Sequence, residues 1–580
     1  MERLHTKQVV SALVLVASLV LMVVSGYMAL ARHAVPLWYP PLAIPVAWFA
    51  TRNYARQGDE RLRLSQLREF YSRGAARLEN RWAGQGETGE EFCGKGHVYE
   101  SDLNLFGTGS LFELLCTTRT GIGRSRLADY LKCTPTLSET ENRQQAVQEL
   151  RHRPELREQV VTLGKTPSRQ SSGAVFAKWL EDPPSRFPTW VRIATAIGGV
   201  CAGGLFLAGF AGAVPPRVVW HYGVPLVVAN SVIALGARKR VKRSIERGLA
   251  VSVEIELMRE GLELLARETF HSPKLRALTG RVTLGIPAVK QLRRLELPLR
   301  ILSERSKDWF YYPSLLVLAG TQCAAAIESW RARHGESLRL WLDAWAEFEA
   351  LTALAWYASE HPDDPFPKLE PNGRVYEARG LAHPLLPEST TIRNDLQLSQ
   401  DGTYFYVISG SNMSGKSTLL RAIGLNAVLA FAGAPVRAQS LRLARFTTTA
   451  SISIFDSVQD GKSKFLAEVE RLREILRLSS EQPPVLFLID EIFSGTNSRD
   501  RRIAAESVFR ALSEAGALGA VSTHDLALTE IAEIDGLHGA NIHMGSRDGT
   551  DPLDFDYLIK TGVTQEANAL AIARMAGVPI

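Results

Sequence analysis

The stretch that decides the fold of this chain is Gly410-Ser411-Asn412-Met413-Ser414-Gly415-Lys416-Ser417-Thr418. It stands between a short β-rich run at 404–408 and an apolar run of helical character, and it matches the pattern GxxxxGK[ST]. Glycines in such a loop let backbone N–H groups converge on phosphate oxygens, and the helix N-terminus adds a favourable dipole. We therefore expect these nine residues to bind a nucleotide, with Lys416 at the β- and γ-phosphates and the Ser417 hydroxyl on Mg²⁺.

Two later strands end in residues that suit the same site. The apolar run 484–489 ends in Asp490 and Glu491, and the run 518–522 is followed by Thr523 and His524. We expect Asp490 to hold the magnesium shell, Glu491 to polarise the attacking water as a general base, and His524 to sense or bond the γ-phosphate. Strands that alternate with helices over this region predict an α/β core.

These motifs resemble those of the MutS family. GSNMSGKST is similar to the family's phosphate loop, DEIFSGTNSRD at 490–500 to its Walker B segment and the loop that follows, and STHD at 522–525 to its switch histidine. The segment DGKSKFLAE at 460–468 is similar to the family's signature loop, although Lys464 replaces the usual threonine. The similarity is close over 370–580 and loose over 100–150 and 340–360.

The resemblance implies an ABC-like ATPase domain that uses ATP and Mg²⁺. It also implies a homodimer, in which Ser463 of the signature loop reaches the nucleotide of the opposing subunit. Double-stranded DNA is a partner that only the family suggests. The family's mismatch-reading domain is not expected here, because apolar segments occupy much of the first hundred residues.

Four uncharged segments predict membrane spans. Residues 8–31 and 34–51 form one pair, separated by Arg32 and His33, and residues 193–216 and 218–237 form a second pair, separated by Arg217. A run of about 20 apolar residues crosses a hydrocarbon core of about 30 Å. A cleaved signal peptide is the rival interpretation of the first run, but that run is long for a signal and a second apolar run follows it.

Basic residues predict which side each segment faces. Arg52 and Arg56 follow the first pair, Arg192 precedes the second, and the cluster 238–243 (RKRVKR) follows it. By the positive-inside rule the termini and all large segments are cytoplasmic, so we expect a four-span membrane protein with a cytoplasmic ATPase domain. A further apolar run at 309–327 contains Pro313 and Gln322, and we interpret it as a buried core helix rather than a fifth span.

The remaining sequence predicts helical segments around this framework. A chain of 580 residues is expected to contain two or three cores. The expected division is a first hairpin at 1–52, a helical core at 53–192, a second hairpin at 193–237, a helical lever and core at 238–360, and the ATPase domain at 361–580. One stripe of the lever helix is predicted from seven apolar or small residues spaced four apart: Val241, Ile245, Leu249, Val253, Leu257, Gly261 and Leu265.

Composition narrows the classes of function. The formal net charge of +6 permits nucleic acid or anionic lipid as a partner without selecting either. Five dispersed cysteines argue against a disulfide scaffold or a structural zinc site. Two functions stay open: a membrane-anchored dimeric ATPase with family-implied DNA binding, or an ATP-driven membrane scaffold or remodelling protein that acts on lipid or on a protein partner. An ABC transporter is disfavoured, because no LSGGQ-like signature is present.

Overall fold

The computed structural model describes most of the chain. The described residues are 2–30, 32, 36, 39–94, 96–164, 178–185, 187–285, 287–305, 314, 318–411, 413–452, 464–547 and 554–564.

In the part of the chain that the structure describes, helices alone form the regular structure as far as Glu360. They are α1 (Glu2–Leu30), α2 (Ala43–Leu78), α3 (Leu111–Leu115), α4 (Gly121–Lys132), α5 (Leu137–Arg151), α6 (Pro154–Val161), α7 (Thr189–Phe210), α8 (Pro216–Arg267), α9 (Pro273–Thr283), α10 (Ala288–Arg305) and α11 (Ala319–Glu360). α3, α4 and α5 follow the N-caps Ser110, Thr120 and Thr136, each of which accepts a hydrogen bond from the backbone N–H three residues later. Local chemistry therefore sets where these helices begin.

The central element of the helical part is α11. It packs against α4, α5, α8, α9 and α10, and its second half is buried on almost every side. Trp345 is fully buried there and lies against Gly261 of α8. A Cβ at position 261 would stand 2.4 Å from the Trp345 ring, so the close approach of α8 and α11 requires glycine.

The predicted stripe of the lever helix is only partly correct. α8 buries Ser244, Gly248, Val251, Ile255, Met258, Leu262 and Leu265, whereas Val253 is exposed. The buried positions alternate in steps of four and three residues. A strict step of four advances about 40° around a helix each time, so it leaves the packed face, whereas alternating steps keep to that face. Gly261 and Leu257 also lie on the buried side, beside the main stripe.

Three described helices are long and apolar enough to cross a membrane: Leu4–Ala29, Thr189–Phe210 and Pro216–Arg267. The first pairs with α2, and the other two pair with each other. α7 and α8 approach closely at Gly198, where an added Cβ would lie 2.2 Å from the Asn230 amide. In α1 and α2, Ser11 donates to Gln57 and His5 lies 3.1 Å from Arg61, so the two helices run antiparallel.

The second predicted span, 34–51, is not among these candidates. Its described helical portion is the start of α2, and α2 carries charges from Arg52 onward. The nine residues 43–51 rise only about 14 Å as a helix, which is less than half of a hydrocarbon core. The expected continuation of this arm into a long helix is seen, since α2 runs unbroken to Leu78.

The run 309–327 lies partly outside the described residues. Its described end forms the start of α11, where Cys323, Ala324 and Ile327 are buried. The Gln322 amide donates to the Arg192 carbonyl and to the Thr195 hydroxyl at the start of α7. This part is a core helix, as predicted, and it holds the base of the second hairpin.

Strands appear only after Glu360 in the described chain. A four-stranded sheet has the order β1-β5-β2-β3, and a six-stranded sheet has the order β10-β9-β4-β8-β7-β6. Their bounds are β1 Lys368–Glu370, β2 Val375–Leu381, β3 Asn394–Ser399, β4 Phe405–Ser409, β5 Ser440–Ala444, β6 Thr447–Ser451, β7 Val485–Asp490, β8 Leu518–Thr523, β9 Gly539–His543 and β10 Lys560–Thr561. The helices among them are α12 (Lys416–Ala432), α13 (Lys464–Ser479) and α14 (Ser498–Glu514).

The six-stranded sheet is parallel from β9 through β6, and only β10 runs antiparallel. The central strands β7 and β8 are buried on both faces, as a parallel sheet between helices requires. β8 lies between β4 and β7, so the carboxyl ends of these three strands come together at one edge. The protein thus has a helical N-terminal part and a mixed α/β C-terminal part.

Candidate functional site

The residues predicted for the site gather where β4, β8 and β7 end. Ser409 pairs with Thr523, and Asp490 pairs with Ser522, so the three strands end at the same level. The 410–418 loop follows β4, Glu491 follows β7 and His524 follows β8. The sheet order therefore places side chains from three distant stretches of sequence next to one another.

The 410–418 loop has two positions with backbone angles that glycine accommodates readily. Gly410 and Gly415 have φ angles of 149° and 100°. A Cβ on Gly410 would stand 2.3 Å from the Met544 carbonyl oxygen, so the loop lies directly against the backbone that follows β9. Gly415 immediately precedes α12, and backbone N–H groups at the start of that helix have no partner within it. This is the geometry of an anion-binding loop.

Two polar side chains of the loop, Ser414 and Lys416, are buried. Lys416 donates from Nζ to the carbonyl oxygens of Gly410 at 2.9 Å and Ser411 at 2.8 Å. Burial lowers the pKa of the Lys416 ammonium, and the nearby carboxylates of Asp490 and Glu491 oppose that shift. The hydroxyl of Ser414 is wholly buried and has no hydrogen-bond partner among the described residues. The loop thus contains the Lys416 ammonium and the Ser414 hydroxyl, two groups that can donate to an anionic ligand.

The predicted magnesium ligands meet across the site. Ser417 Oγ donates to Asp490 Oδ2 at 2.5 Å, and the other oxygen of Asp490 accepts from the Ser522 hydroxyl. A hydroxyl and a carboxylate are oxygen donors of the kind that Mg²⁺ prefers, with waters and phosphate completing the octahedron. The donor set fits that ion.

Glu491 and His524 form the next pair. Glu491 Oε1 lies 3.1 Å from His524 Nδ1, and both side chains are partly accessible to solvent. Glu491 has a φ angle of +56°, and its N–H donates to the Ser522 carbonyl of the adjacent strand. The carboxylate and the imidazole therefore hydrogen-bond at the open edge, beside Lys416 and Asp490.

An apolar cavity of about 300 Å³ opens beside the loop. Gly415 and Thr418 line it together with His383, Asn394 and Tyr557. Burial lowers the pKa of His383 to about 4, and its Nδ1 accepts from the Leu385 N–H, so the neutral ring carries its proton on Nε2. Asn394 holds one wall by donating to the Tyr557 carbonyl and accepting from the Ile559 N–H.

Two of the predicted site residues, Asn412 and Ser463, lie outside the described residues. Met413 is described, and its side chain is 73 % exposed. The signature segment is described from Lys464, where α13 begins. Within it Glu468 is buried and accepts a hydrogen bond from the Phe493 N–H.

Sequence reasoning missed Arg501 and the role of Asp525. Arg501 donates to three carbonyl oxygens of the loop after β7 and pairs with Asp525, which follows His524. In the sequence Arg501 is one of three arginines in SRDRR, and no pattern sets it apart from Arg499 or Arg502. Only the folded loop shows which arginine is enclosed.

The comparisons with known proteins match part of the chain to one family. The family profile of MutS domain V matches residues 406–580. A DNA mismatch repair protein MutS of Lactobacillus delbrueckii subsp. bulgaricus is 36 % identical over 197 residues, which is 34 % of this chain and 22 % of that protein. DNA mismatch repair protein MutS 2 of Halobacterium salinarum is 32 % identical over 254 residues, or 43 % of this chain and 28 % of that protein.

A third relative matches over a longer stretch of the chain. DNA mismatch repair protein MutS of Thermus thermophilus is 28 % identical over 296 residues, which is 51 % of this chain and 35 % of that protein. The chain thus spans about a fifth to a third of the length of these relatives. Residues 406–580 thus match a MutS domain V, and together with these relatives that match supports a MutS-family protein.

Proposed function

We propose that this chain is a membrane-anchored MutS-type ATPase that binds and hydrolyses ATP with Mg²⁺ in a homodimer. The observation that carries the proposal is the convergence of Lys416, Ser417, Asp490, Glu491 and His524 at one sheet edge. The ABC-like P-loop character of the domain is part of the proposal. ATP and Mg²⁺ are supported by the oxygen donors, the buried lysine and the unpaired Ser414 hydroxyl described above.

Each residue has a distinct proposed role. The 410–418 backbone and Lys416 bind the phosphates, while Ser417 and Asp490 hold Mg²⁺, which neutralises phosphate charge when it is bound. The cavity beside Thr418 accepts the nucleoside, with His383 as a neutral donor. Glu491 orients and deprotonates the attacking water, and His524 hydrogen-bonds Glu491 and keeps it directed at the γ-phosphate position.

The surface around the site supports a dimer. Met413, Phe465, Leu466 and Ile503 are large apolar side chains that stay exposed on elements flanking the site. Clustered exposed apolar residues mark interaction surfaces. We propose that a second copy covers them and that Ser463, which directly precedes α13, contacts the nucleotide held by the partner.

The apolar helices support membrane insertion. Along α7 and α8 the aliphatic residues Ile197, Val200, Leu207 and Val232 are exposed, and Phe210 is 94 % exposed. Exposed aromatic residues stand at both ends of this hairpin, Trp190 at one end and Trp220 and Tyr222 at the other. Such aromatic belts are typical of the two membrane interfaces. We propose that both hairpins enter the bilayer, the return arm of the first one with a helical part too short to cross alone.

The topology that we propose keeps the termini and the ATPase domain in the cytoplasm. The antiparallel pairing of α1 and α2 brings His5 beside Arg61, so the N-terminus lies on the same side as the soluble core. At the end of the apolar part of α8, Arg238, Lys239, Arg240, Lys242 and Arg243 are all exposed, and we call them the basic collar. They rise over about 7.5 Å, close to the depth of one headgroup layer. Anionic lipid is the partner that this placement favours.

Double-stranded DNA is proposed on the strength of the relatives alone. Their names describe DNA mismatch repair proteins, and the matched segments cover about a fifth to a third of them. The alternative, an ATP-driven membrane scaffold or remodelling protein, is favoured by the position of the basic collar. A salt-titrated DNA-binding assay on the detergent-solubilised protein separates the two, because phosphate contacts make affinity fall steeply with salt.

The ATPase proposal is tested with two variants of the full chain. Glu491→Gln is expected to keep ATP affinity and to lower turnover by roughly 100-fold or more, since only the water-activating group changes. Lys416→Ala is expected to weaken binding of the triphosphate itself. Wild-type protein without turnover, or Lys416→Ala with unchanged affinity, would refute the proposal.

A further inference from the structure

The loop that follows β7 has a backbone conformation that costs free energy. Glu491 and Phe493 have φ angles of +56° and +53°, in the left-handed region that non-glycine residues seldom occupy. Such conformations persist only when the surrounding structure holds them. Glu491 is the residue proposed to activate water, so whatever holds this loop also sets the position of its carboxylate.

A buried side chain, Glu468, and a largely enclosed one, Arg501, bind the backbone N–H and the carbonyl of Phe493. Glu468 of α13 accepts from the Phe493 N–H, and Arg501 Nε donates to the Phe493 carbonyl at 3.0 Å. Arg501 Nη2 also donates to the carbonyls of Ser494 at 3.3 Å and Thr496 at 3.0 Å. One guanidinium thus binds three of the four carbonyls between 493 and 496.

The same guanidinium reaches the loop that carries His524. Arg501 Nη1 donates to Asp525 Oδ2 at 3.1 Å, and the side chains of Arg501 and Asp525 are only 12 % and 16 % exposed. The second oxygen of Asp525 accepts from the Ala527 N–H and so fixes the turn after His524. Arg501 therefore links the two loops whose residues Glu491 and His524 hydrogen-bond to each other.

We propose that Arg501 is a positioning residue for ATP hydrolysis, which sets the Glu491–His524 pair by tying the loop after β7 to the turn after β8. The inference rests on the proposed ATPase function and adds a residue to it. Arg501 touches none of the phosphate-binding residues in the described structure, and its planar fork supplies several donors that an ammonium cannot place at once.

The experiment compares Arg501→Ala and Arg501→Lys with Arg502→Ala in the full-length protein. Arg502 is the adjacent arginine, and it pairs at 2.7 Å with Glu530 on the open surface, with both side chains about half exposed. Turnover, KM for ATP and equilibrium ATP affinity are measured for each, with thermal unfolding as a control for folding. We expect Arg501→Ala to lower kcat by about 10- to 100-fold with affinity changed less than twofold, because the phosphate-binding residues stay in place. Arg501→Lys is expected to recover only part of kcat, and Arg502→Ala to match the wild type.

Asp525→Asn provides the second measurement. If Arg501 acts through Asp525, the two substitutions are not additive. The loss of kcat in the double variant Arg501→Ala/Asp525→Asn, expressed as a free energy, is then smaller than the sum of the losses in the two single variants. Unchanged kcat in Arg501→Ala, or full additivity, would overturn the inference. So would a parallel loss of ATP affinity and thermal stability, since that pattern belongs to a general structural role. Wild-type protein without turnover would instead contradict the proposed function itself.

Discussion

Replacing Arg77 with methionine removes one half of a buried ion pair that joins the long helix α2 to the end of α11. Arg77 Nε donates to Glu360 Oε2 at 2.7 Å, and Nη2 donates to Oε1 at 2.5 Å. The two side chains are 8 % and 11 % exposed. Replacing Arg77 leaves the Glu360 carboxylate buried without its counter-ion, which costs about 3–5 kcal/mol in such pairs.

The expected effect is local opening of the joint. Taking about 3 kcal/mol, and 1.4 kcal/mol for each factor of ten, amide hydrogen exchange should accelerate roughly 100-fold at 70–78 and 356–360. The aromatic contact between Phe70 and Trp356, with ring centroids 4.4 Å apart, lies in the same joint and should loosen with it. Hydrogen exchange followed by mass spectrometry measures both segments in the detergent-solubilised protein.

A matched control is available on α14. Arg510 pairs with Glu506 at 3.0 Å, but there the side chains are 49 % and 37 % exposed. Arg510→Met should therefore change local stability by about 0.5 kcal/mol or less. Adding Glu360→Met to Arg77→Met should restore part of the protection, because the unpaired charge is removed. Equal acceleration in Arg77→Met and Arg510→Met would refute the assignment of the Arg77–Glu360 pair as the clamp of this joint.

Three further predictions concern pH, lipid and assembly. Burial raises the pKa of Glu349 to about 7, so the folded protein keeps a proton that the unfolded chain loses near pH 4.5. The free energy of unfolding should therefore fall by roughly 3 kcal/mol as the pH rises between these values. In pH-dependent unfolding, Glu349→Gln should flatten this curve. Changing the basic collar to glutamine should reduce enrichment of labelled anionic lipid around the protein in mixed nanodiscs and leave neutral lipid unaffected. ATP should increase the dimer fraction most in Glu491→Gln, and Ser463→Arg should abolish that increase, as measured by mass photometry.

The residues of the proposed ATPase site could be predicted from the sequence because their patterns are local. The 410–418 loop needs glycines at fixed spacing, and its lysine and serine follow directly, so the pattern survives without knowledge of the fold. Asp490, Glu491 and His524 were readable because each follows an apolar run long enough for a buried strand. The role of Arg501 could not be predicted from the sequence, because its partners lie 5 to 24 residues away along the chain and become neighbours only in the folded loop.

The helical part shows the same limit. The long continuation of α2 and the buried start of α11 follow from sequence pattern, and both are seen. The buried stripe of the lever helix was predicted with a constant spacing of four residues. The buried face of α8 instead has spacings that alternate between four and three residues. The second span of the first hairpin was drawn from the absence of charge alone. Its helix begins only at Ala43, so the apolar length that is helical is too short for a span.

The sequence by itself determined the local chemistry on which the proposed function rests: which residues form the glycine-rich loop, which strand ends carry carboxylates, and which segments are long and apolar. These properties depend on neighbouring residues and on periodicity along one element. Tertiary structure alone decided how distant elements meet, including the order β4-β8-β7 that assembles the site and the Arg77–Glu360 joint between residues 283 positions apart. The physical reason is that such contacts depend on which buried faces pack together, and that choice is made by the whole core rather than by any one stretch of sequence.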